Sequence, residues 1–494
     1  MSATTAIVGR IRTARPTERL GTGRLIAINS MWLGQGAHWP PITFSLLPAA
    51  ALTITGSSAA AALLIGNVSA AGNLFALLAP ILAGWLSDRT HTRWGRRRPW
   101  IVAGTAVNLI GLAFLALAGA PLALAIAYML VQLSFNLAGG AYAAVIPDVV
   151  PPGDRGRASG LLGMMNALGS VVGLGAVVAT LAIFHEGRTG VIVGYGCLMV
   201  ILLVGTVTTL IAVDESPSTA ATSDAMALPP MAVLAAVAGL VASAGWIGYL
   251  LVPLGSLRYP VLAVGLAAAA LAVFSASRVP AIRGFFGAFR DNDFFWTFAT
   301  RALVMMGIAT IQPFLALYFK DVIGVPNPGL MSGLWGLALL AGAIVPAVVG
   351  GHLSDRLGRR KVFVYLSGGL QALVASVLLF GLIHSLVVVY VLGVIFGIGY
   401  GMYTAVDWAI ACDVLPDREN CTGRDMGLWH IAFTLPAALA PALFAPILTA
   451  FNGSGHVILS LATGNNLGFR LVFAGAAIWF VLGTVFVSRI RAVR

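Results

Sequence analysis

Residues 84–89 read Gly-Trp-Leu-Ser-Asp-Arg, and residues 351–356 read Gly-His-Leu-Ser-Asp-Arg. Each copy ends a long apolar run and is followed closely by a cluster of arginines. A second feature is also repeated, because an aspartate ends a later apolar run at Asp148 and again at Asp413. The spacing between the two copies is nearly the same for both features. The chain is therefore predicted to contain two equivalent halves, each with a basic loop between membrane-spanning helices.

The composition indicates a protein that lies within a lipid bilayer. Of the 494 residues, 59% are hydrophobic and 9% are charged, and the mean hydropathy is +0.94. A water-soluble protein of this size needs a larger polar fraction. The net charge of +12 does not indicate nucleic acid, because the basic residues lie at the ends of apolar runs. Three cysteines without a C-x-x-C spacing predict neither a disulfide framework nor a metal site, and no cofactor is expected.

Fourteen apolar runs are long enough to cross a bilayer, which takes about 20 residues each. We predict an all-α polytopic membrane protein made of two six-helix bundles with an inserted two-helix hairpin. It has an N-terminal six-helix bundle (1–213), a linker with two extra transmembrane helices (214–293) and a C-terminal six-helix bundle (294–494). The extra helices carry few polar residues and are expected on the lipid-facing flank. The runs are 25–47, 59–84, 100–119, 122–147, 158–184, 191–213, 231–252, 259–277, 294–319, 330–350, 362–382, 386–410, 426–450 and 468–488.

The distribution of basic residues predicts the orientation. Of 29 Lys and Arg residues, only Arg301 lies inside an apolar run, and only Arg188, Arg258, Lys320 and Arg470 fall in loops facing away from the arginine clusters. The positive-inside rule then places the clusters and both termini in the cytoplasm. The Arg-rich first two dozen residues are interpreted as a cytoplasmic tail. We expect a multi-pass protein of the cell membrane, monomeric, with the lipid bilayer around it and no nucleic-acid partner.

Acidic residues in the repeated loops are the first candidate functional residues. Asp88 and Asp355 come at the ends of apolar runs. There a carboxylate can bind an arginine or the positive N-terminus of a neighbouring helix, and so hold one of two conformations. For the four arginines within residues 93–98, contact with anionic lipid is the expected role. The predicted gating loops contain Gly84, Asp88, Arg89, Asp148, Gly351, Asp355, Arg356 and Asp413.

The sequence from Gly84 to Trp100 closely resembles the loop signature of the major facilitator superfamily. Its form is most similar to the glycoside-pentoside-hexuronide cation symporters and the related sucrose-transporter-like carriers. This resemblance implies a sugar or glycoside as substrate and a cation as the driving ion. The chain departs from that pattern in two places. Residues 67–80 contain no acid where melibiose-type symporters hold sodium, and Gln132 stands about where sucrose-type carriers keep an acid.

Two charged residues lie well inside apolar runs. Arg301 follows Asp293 by eight residues and Asp407 precedes Asp413 by six, so at 1.5 Å per residue both are roughly 10 Å inside the same membrane face. Charges at this depth are costly and usually mark an ion or solute pathway. The pair can be a static bond between two helices. Our prediction is a proton switch, in which separation from Arg301 lets Asp407 take up a proton.

Aromatic and amide side chains occur at similar depth in several runs. Helical spacing places Trp32, Gln35 and Trp39 on one face, with His38 beside it. Aromatic rings stack on sugar rings and amides bind sugar hydroxyls. One such residue alone is more often part of helix packing, so the prediction rests on their convergence. The predicted solute-binding residues are Trp32, Gln35, His38, Trp39, Gln132, Asn136, Gln312, Tyr403, Trp429 and His430.

We therefore predict a proton-coupled secondary transporter that moves a small polar solute, a sugar or glycoside, by alternating access. A proton-driven drug antiporter is the main alternative. Fourteen-helix antiporters resemble this chain in having an extra hairpin between the two halves. Gly160, Gly169 and Gly173 have the spacing that opens the antiporter signature, but the Pro and the Gly pair that complete it are missing. Glycines at such spacing also serve close helix packing. A nucleotide-binding G-x-x-x-x-G-K-[ST] loop is absent, which excludes ATP drive within this chain. Nothing resembles a catalytic nucleophile with its base, so an enzyme is not indicated.

Overall fold

The computed structural model confirms the all-α fold. It describes residues 20–215 except 89, 91 and 144, together with 239, 241, 244–246, 248, 258–278, 286–381, 383–414, 422–452, 457–458, 461–462 and 466–492. Ten helices among these residues are long and apolar enough to cross a bilayer. The described strands are two short antiparallel segments, β1 (Val457–Ile458) and β2 (Leu461–Ala462).

The first half consists of long helices joined by short connections. They are α1 (Thr22–Gly36), α2 (Leu47–Thr55), α3 (Ser58–Asp88), α4 (Arg98–Leu117), α5 (Pro121–Ala143), α6 (Arg155–Phe184) and α7 (Arg188–Ala212). Short helical segments at Trp39–Pro41 and Ile42–Leu46 connect α1 to α2, and a further helical segment, Val145–Val149, follows α5.

The second half follows the same plan. Its helices are α9 (Asn292–Ile311), α10 (Pro328–Leu357), α11 (Arg360–Gly381), α12 (Leu386–Asp413), α13 (Thr422–Asn452) and α14 (Leu467–Phe486). Short helical segments, Gln312–Phe314, Leu315–Tyr318 and Phe319–Ile323, continue α9. Between the halves, the second helix of the predicted hairpin is α8 (Arg258–Arg278). The first one, predicted at 231–252, lies mostly outside the described residues.

The first transmembrane segment is a broken helix. α1 ends at Gly36, and the chain passes through a turn before the Trp39–Pro41 segment. Pro40 and Pro41 supply no backbone N–H, so the carbonyls four residues earlier cannot be bonded in the usual helical way. The single face predicted for Trp32, Gln35 and Trp39 assumes a continuous helix and does not extend across this break.

Glycines let the two halves approach closely along two helix pairs. A Cβ atom at Gly66 of α3 would lie 2.7 Å from the carbonyl oxygen of Pro441 in α13. On the other side of the bundle, a Cβ atom at Gly336 of α10 would lie 2.8 Å from the side chain of Leu174 in α6. Larger side chains at these positions would push the halves apart.

Polar contacts also join the halves at one end of the bundle. We call the end that carries the arginine clusters the basic end, and the other the opposite end. At the opposite end, Ser58 Oγ donates a hydrogen bond to Asp321 Oδ1 at 2.7 Å. Close by, the backbone N–H of Leu330 donates to Glu186 Oε2 at 3.0 Å. Both bonds cross from one half to the other, so the opposite end is closed.

The halves diverge toward the basic end. Gly163 and Ala167 share a helical stripe of α6 with Leu174, yet both are exposed, and a Cβ atom at Gly163 would contact nothing within 4 Å. On α10, Ile344 and Val348 continue the stripe of Gly333 and are 53% and 72% exposed. The structure is therefore closed at the opposite end and open at the basic end.

Close packing of α1 on α6 predicts which helix glycines tolerate a side chain. A Cβ atom at Gly169 would lie 2.1 Å from the carbonyl oxygen of Leu33, whereas one at Gly160 would meet nothing within 4 Å. We expect Gly169→Ala to lower the thermal unfolding temperature of the purified protein by several degrees, because backbone atoms must move. Gly160→Ala is the matched control and should leave it unchanged. Equal stability of the two variants would contradict this packing.

The closed opposite end should respond to pH through Glu186. Burial raises the pKa of the Glu186 carboxyl above its ordinary value, although the bonds from Leu330 and Gly329 oppose the rise. A group with a higher pKa in one conformation binds protons more tightly there, so acid favours the closed opposite end and rising pH disfavours it. Spin labels on Ser159 and Leu357 measure the opening of the basic end. Glu186→Gln should weaken the pH dependence of this opening, and an unchanged dependence would contradict the assignment.

Candidate functional site

A cavity of about 340 Å³ lies between the two halves. Aromatic rings form two of its walls. Trp39 packs edge-on against Tyr128 and Phe135 in the first half, with ring centroids 5.8 Å and 5.4 Å apart. In the second half, Trp335 packs against Phe396 at 5.8 Å. These apolar walls leave ring surfaces facing a space large enough for a small solute.

Amide side chains form the polar part of the cavity lining. Gln132 Nε2 donates to Asn73 Oδ1 at 3.0 Å and reaches Tyr128 Oη at 3.4 Å. Asn136 Nδ2 donates to the backbone carbonyl of Gln132 at 2.8 Å. Gln312 contributes a further amide from the second half. The described lining contains no carboxylate or cationic side chain, so its polar groups are neutral.

A buried ion pair lies on the same two helices as part of this wall. Arg301 Nη1 binds Asp407 Oδ2, and the two residues are 9% and 4% exposed. Tyr403 Oη donates to the other carboxylate oxygen, Oδ1, at 3.0 Å. The Arg301 guanidinium also stacks on Trp429, with 3.4 Å from Cζ to the ring centroid. Besides binding each other, the Asp407 carboxylate thus binds Tyr403 and the Arg301 guanidinium stacks on Trp429.

Helical spacing connects the ion pair to the cavity. Met305 follows Arg301 by one turn of α9, and Tyr400 precedes Asp407 by two turns of α12. Met305 and Tyr400 both line the cavity. A change in the Arg301–Asp407 pair that shifts α9 against α12 would therefore move the cavity wall.

The structure separates the predicted solute-binding residues into groups. Trp39, Gln132, Asn136 and Gln312 line the cavity. Tyr403 and Trp429 surround the ion pair. Three residues of the broken first segment do not line the cavity. Trp32 packs on the ring of Tyr142, Gln35 lies against Gly139, and His38 is buried between Trp39 and Phe135. The side chain of His430 is outside the described part of the chain.

Several lining residues were missed by the sequence analysis. Asn73, Tyr128 and Trp335 all line the cavity. A signal existed for Asn73, because it is an amide in the middle of the apolar run 59–84. For the aromatic residues no sequence signal separates a cavity wall from ordinary packing.

The repeated loops form the same bond in each half. Asp148 accepts hydrogen bonds from Arg96 at 2.8 Å and Arg97 at 3.1 Å. In the second half, Arg360 and Asp413 form the equivalent pair at 2.7 Å. Arg97 is 6% exposed and also donates to Ser87 Oγ. The expectation that Arg97 contacts lipid is therefore wrong, because the side chain is buried and bonded within the loop.

The other gating-loop residues are placed only in part. Gly84 and Asp88 lie in the last turns of α3, and Gly351, Asp355 and Arg356 lie in the last turns of α10. Arg356 is exposed. Arg89 and the side chains of Asp88 and Asp355 lie outside the described part of the chain, so the latch role of the two aspartates stays a prediction.

Glu215 is a further residue of the basic end that the sequence analysis did not identify. Its carboxylate accepts hydrogen bonds from the backbone N–H groups of Arg96, Arg97 and Arg98, at 2.9, 2.9 and 3.2 Å. These N–H groups open α4, where a helix has unbonded donors and a positive dipole end. Gly95 has a φ of 95°, and a Cβ atom there would lie 2.3 Å from the Glu215 carboxylate. The start of the linker is thereby attached to the first basic loop.

A family model described as Major Facilitator Superfamily matches residues 31–441. The chain therefore belongs to the major facilitator superfamily, whose members are membrane transporters. Its branch within the superfamily is not fixed by these matches. An "uncharacterized symporter sll1374" of Synechocystis sp. is 34% identical over 89 residues, which are 18% of this chain and 16% of that protein.

Solved transporter structures resemble the whole chain. A bacterial homolog of the human lysosomal transporter Spinster, inward-facing and unoccupied, has a TM-score of 0.59 and 17% identity, covering 94% of this chain and 95% of its own. The nucleoside transporter NupG has a TM-score of 0.62 and 10% identity, and the match covers 95% of this chain and 100% of NupG. The peptide transporter POT in complex with sulfate has a TM-score of 0.62 and 18% identity, and the match covers 95% of this chain and 94% of that transporter. At these identities the likeness concerns the fold.

Loss of the Glu215 carboxylate should loosen the first basic loop. We expect Glu215→Ala to speed amide hydrogen exchange at residues 96–98 by about tenfold, because three N–H groups lose their shared acceptor. Mass spectrometry of the peptides that cover this loop measures the rate. Asp214→Ala, which removes the neighbouring exposed carboxylate, should leave the rate as it is. The assignment is wrong if both variants behave alike.

Proposed function

We propose that this transporter moves a small neutral polar solute, a sugar or glycoside, and couples the movement to protons. The observation that carries the proposal is a cavity of aromatic and amide side chains that shares α9 and α12 with a buried Arg301–Asp407 pair. The cavity supplies recognition and the pair supplies a group that can be charged or neutral. Alternating access then exposes both to one membrane face at a time.

The cavity chemistry favours a neutral hydroxylated solute. Sugar rings have apolar faces that stack on residues such as Trp39 and Trp335, and their hydroxyls both donate and accept hydrogen bonds. The amides of Gln132, Asn136 and Gln312 can likewise both donate and accept hydrogen bonds. The sequence resemblance to sugar symporters points to the same class of solute.

A drug antiporter has less support from the site. Cationic drugs are best held by a carboxylate within the binding cavity, and the described lining residues include none. The glycines that suggested the antiporter motif have other roles: Gly169 and Gly173 contact the backbone of the first segment, at Leu33 and Ala37. This alternative becomes an outcome of the transport test.

The ion pair gives a physical route to proton coupling. With Asp407 charged, Arg301 and Tyr403 both hold its carboxylate, and α9 is fixed to α12. A proton on Asp407 removes the charge attraction, and Arg301 then depends on its stacking against Trp429. Because Met305 and Tyr400 follow these helices into the cavity, the proton changes the shape of the solute site.

The direction of opening follows from the charge distribution. The positive-inside rule assigns the basic end to the cytoplasm. The structure, open at that end, then corresponds to an inward-facing conformation. In this conformation an importing symporter would release its solute and protons to the cytoplasm.

Transport in liposomes tests the proposal directly. Purified protein is reconstituted with an inward pH gradient and supplied with radiolabelled sucrose, melibiose, lactose or maltose, or with a cationic dye. We expect accumulation of at least one sugar, and its loss when a protonophore removes the gradient. Dye movement against the proton flow, without sugar uptake, would replace this proposal by the antiporter.

The role of Asp407 is tested in the same system. Asp407→Asn keeps a hydrogen-bonding side chain of similar size but cannot carry the coupling proton. We expect gradient-driven accumulation to fall to the equilibrium level, while exchange of labelled for unlabelled sugar continues. Asp214→Asn, a change in an exposed carboxylate of the linker, should accumulate normally. Normal accumulation by Asp407→Asn would eliminate the proton switch.

A further inference from the structure

Asn73 lies where the solute cavity meets the contact between the two halves. Its side chain is buried on α3 and lines the cavity. Asn73 Nδ2 donates to the backbone carbonyl of Ser69 at 2.8 Å and to that of Ala437 at 3.2 Å. The first acceptor belongs to its own helix and the second to α13 of the other half. One amide nitrogen therefore connects the halves at mid-depth.

The Ala437 carbonyl on α13 is free to accept this bond because a proline follows it in the helix. Pro441 lies four residues after Ala437, where a helix normally supplies the N–H that bonds the Ala437 carbonyl. Proline has no N–H, so this carbonyl loses its partner within the helix. A buried carbonyl without a partner is costly, and Asn73 supplies the missing donor from across the interface.

Both N–H groups of Asn73 are used in this conformation. Its Oδ1 accepts from Gln132 at 3.0 Å. A solute hydroxyl that takes an N–H of Asn73 must therefore displace one of two carbonyls. The bond to Ala437, at 3.2 Å, is the longer of the two. Solute binding at this amide thus competes with the contact between the halves.

We propose that Asn73 is a positioning residue that couples occupancy of the cavity to the contact between the halves. Without solute, its bond to Ala437 favours the conformation closed at the opposite end. A solute hydroxyl that takes over this N–H weakens the bond and lets α3 and α13 separate. The inference rests on the proposed transport of a hydroxylated solute, and it adds the residue through which that solute acts.

Two variants remove this contact from opposite sides. Asn73→Leu removes the donor and keeps a similar volume. Pro441→Ala restores an N–H that can bond the Ala437 carbonyl within α13, and leaves Asn73 and Gln132 chemically unchanged. Pro446→Ala is the matched control: it restores an N–H four residues after Ala442. Among the described residues, no side chain of the other half donates to that carbonyl.

The measurement is the distance distribution between spin labels on Ser159 and Leu357, which are exposed near the basic end of α6 and α10. The three native cysteines are replaced first. Without solute, Asn73→Leu and Pro441→Ala should each lower the ratio of open to closed basic ends by about fivefold, the size expected for loss of one hydrogen bond. Pro446→Ala should match the parent protein.

A second arm adds sucrose, melibiose, lactose or maltose. A bound sugar should lower the open fraction of the parent protein, whereas Pro441→Ala, which keeps Asn73 and Gln132, should bind that sugar without a further change in the fraction. Unchanged distributions in Asn73→Leu and Pro441→Ala without sugar would overturn the inference, even if transport is normal. If none of the sugars binds the parent protein, the proposed function fails, and the solute-free arm still decides the role of Asn73. Should Asn73→Leu fail to fold, Pro441→Ala decides it alone.

Discussion

The close approach of α3 to α13 and of α6 to α10 is the constraint on which the rest of the structure depends. Small residues at these crossings, such as Gly66 and Gly336, bring the halves into van der Waals contact without a large interlocking surface. Within a bilayer there is little hydrophobic force between helices, so such packing and a few hydrogen bonds determine how they associate. An interface of this kind can open at one end while it stays closed at the other. The cavity exists because the halves meet along only part of their length.

The buried ion pair has a different physical basis. Two charges in the membrane interior are costly even when paired, and a hydrophobic pair of similar volume is often as stable. Stability alone therefore does not explain Arg301 and Asp407. The partners around them reduce the cost, since Tyr403 binds the carboxylate and Trp429 stacks on the guanidinium. Such an arrangement keeps the pair intact in this conformation, and the proposed coupling has one proton break it.

The duplication of the chain is visible in its bonds as well as in its sequence. Arg97 with Asp148 and Arg360 with Asp413 are the same contact in the two halves. In the first half, Glu215 also caps the start of α4 after the basic loop. Likewise the carbonyl freed by Pro441 has a partner because Asn73 faces it from the other half. The repeat gives both halves the same helix order and the same Arg–Asp contact, and contacts such as those of Glu215 and Asn73 distinguish one half from the other.

The sequence by itself determined the class of fold, the repeat and the position of the buried charges. Apolar runs, arginine clusters and the depth of Arg301 and Asp407 all follow from spacing along single helices, and spacing is encoded locally. Only the tertiary structure decided which side chains share a space. The break after Gly36 separates Trp39, which lines the cavity, from Trp32 and Gln35, which do not. Asn73 gained its significance from a carbonyl more than 300 residues away, because contacts between helices depend on how the helices pack and leave no local pattern.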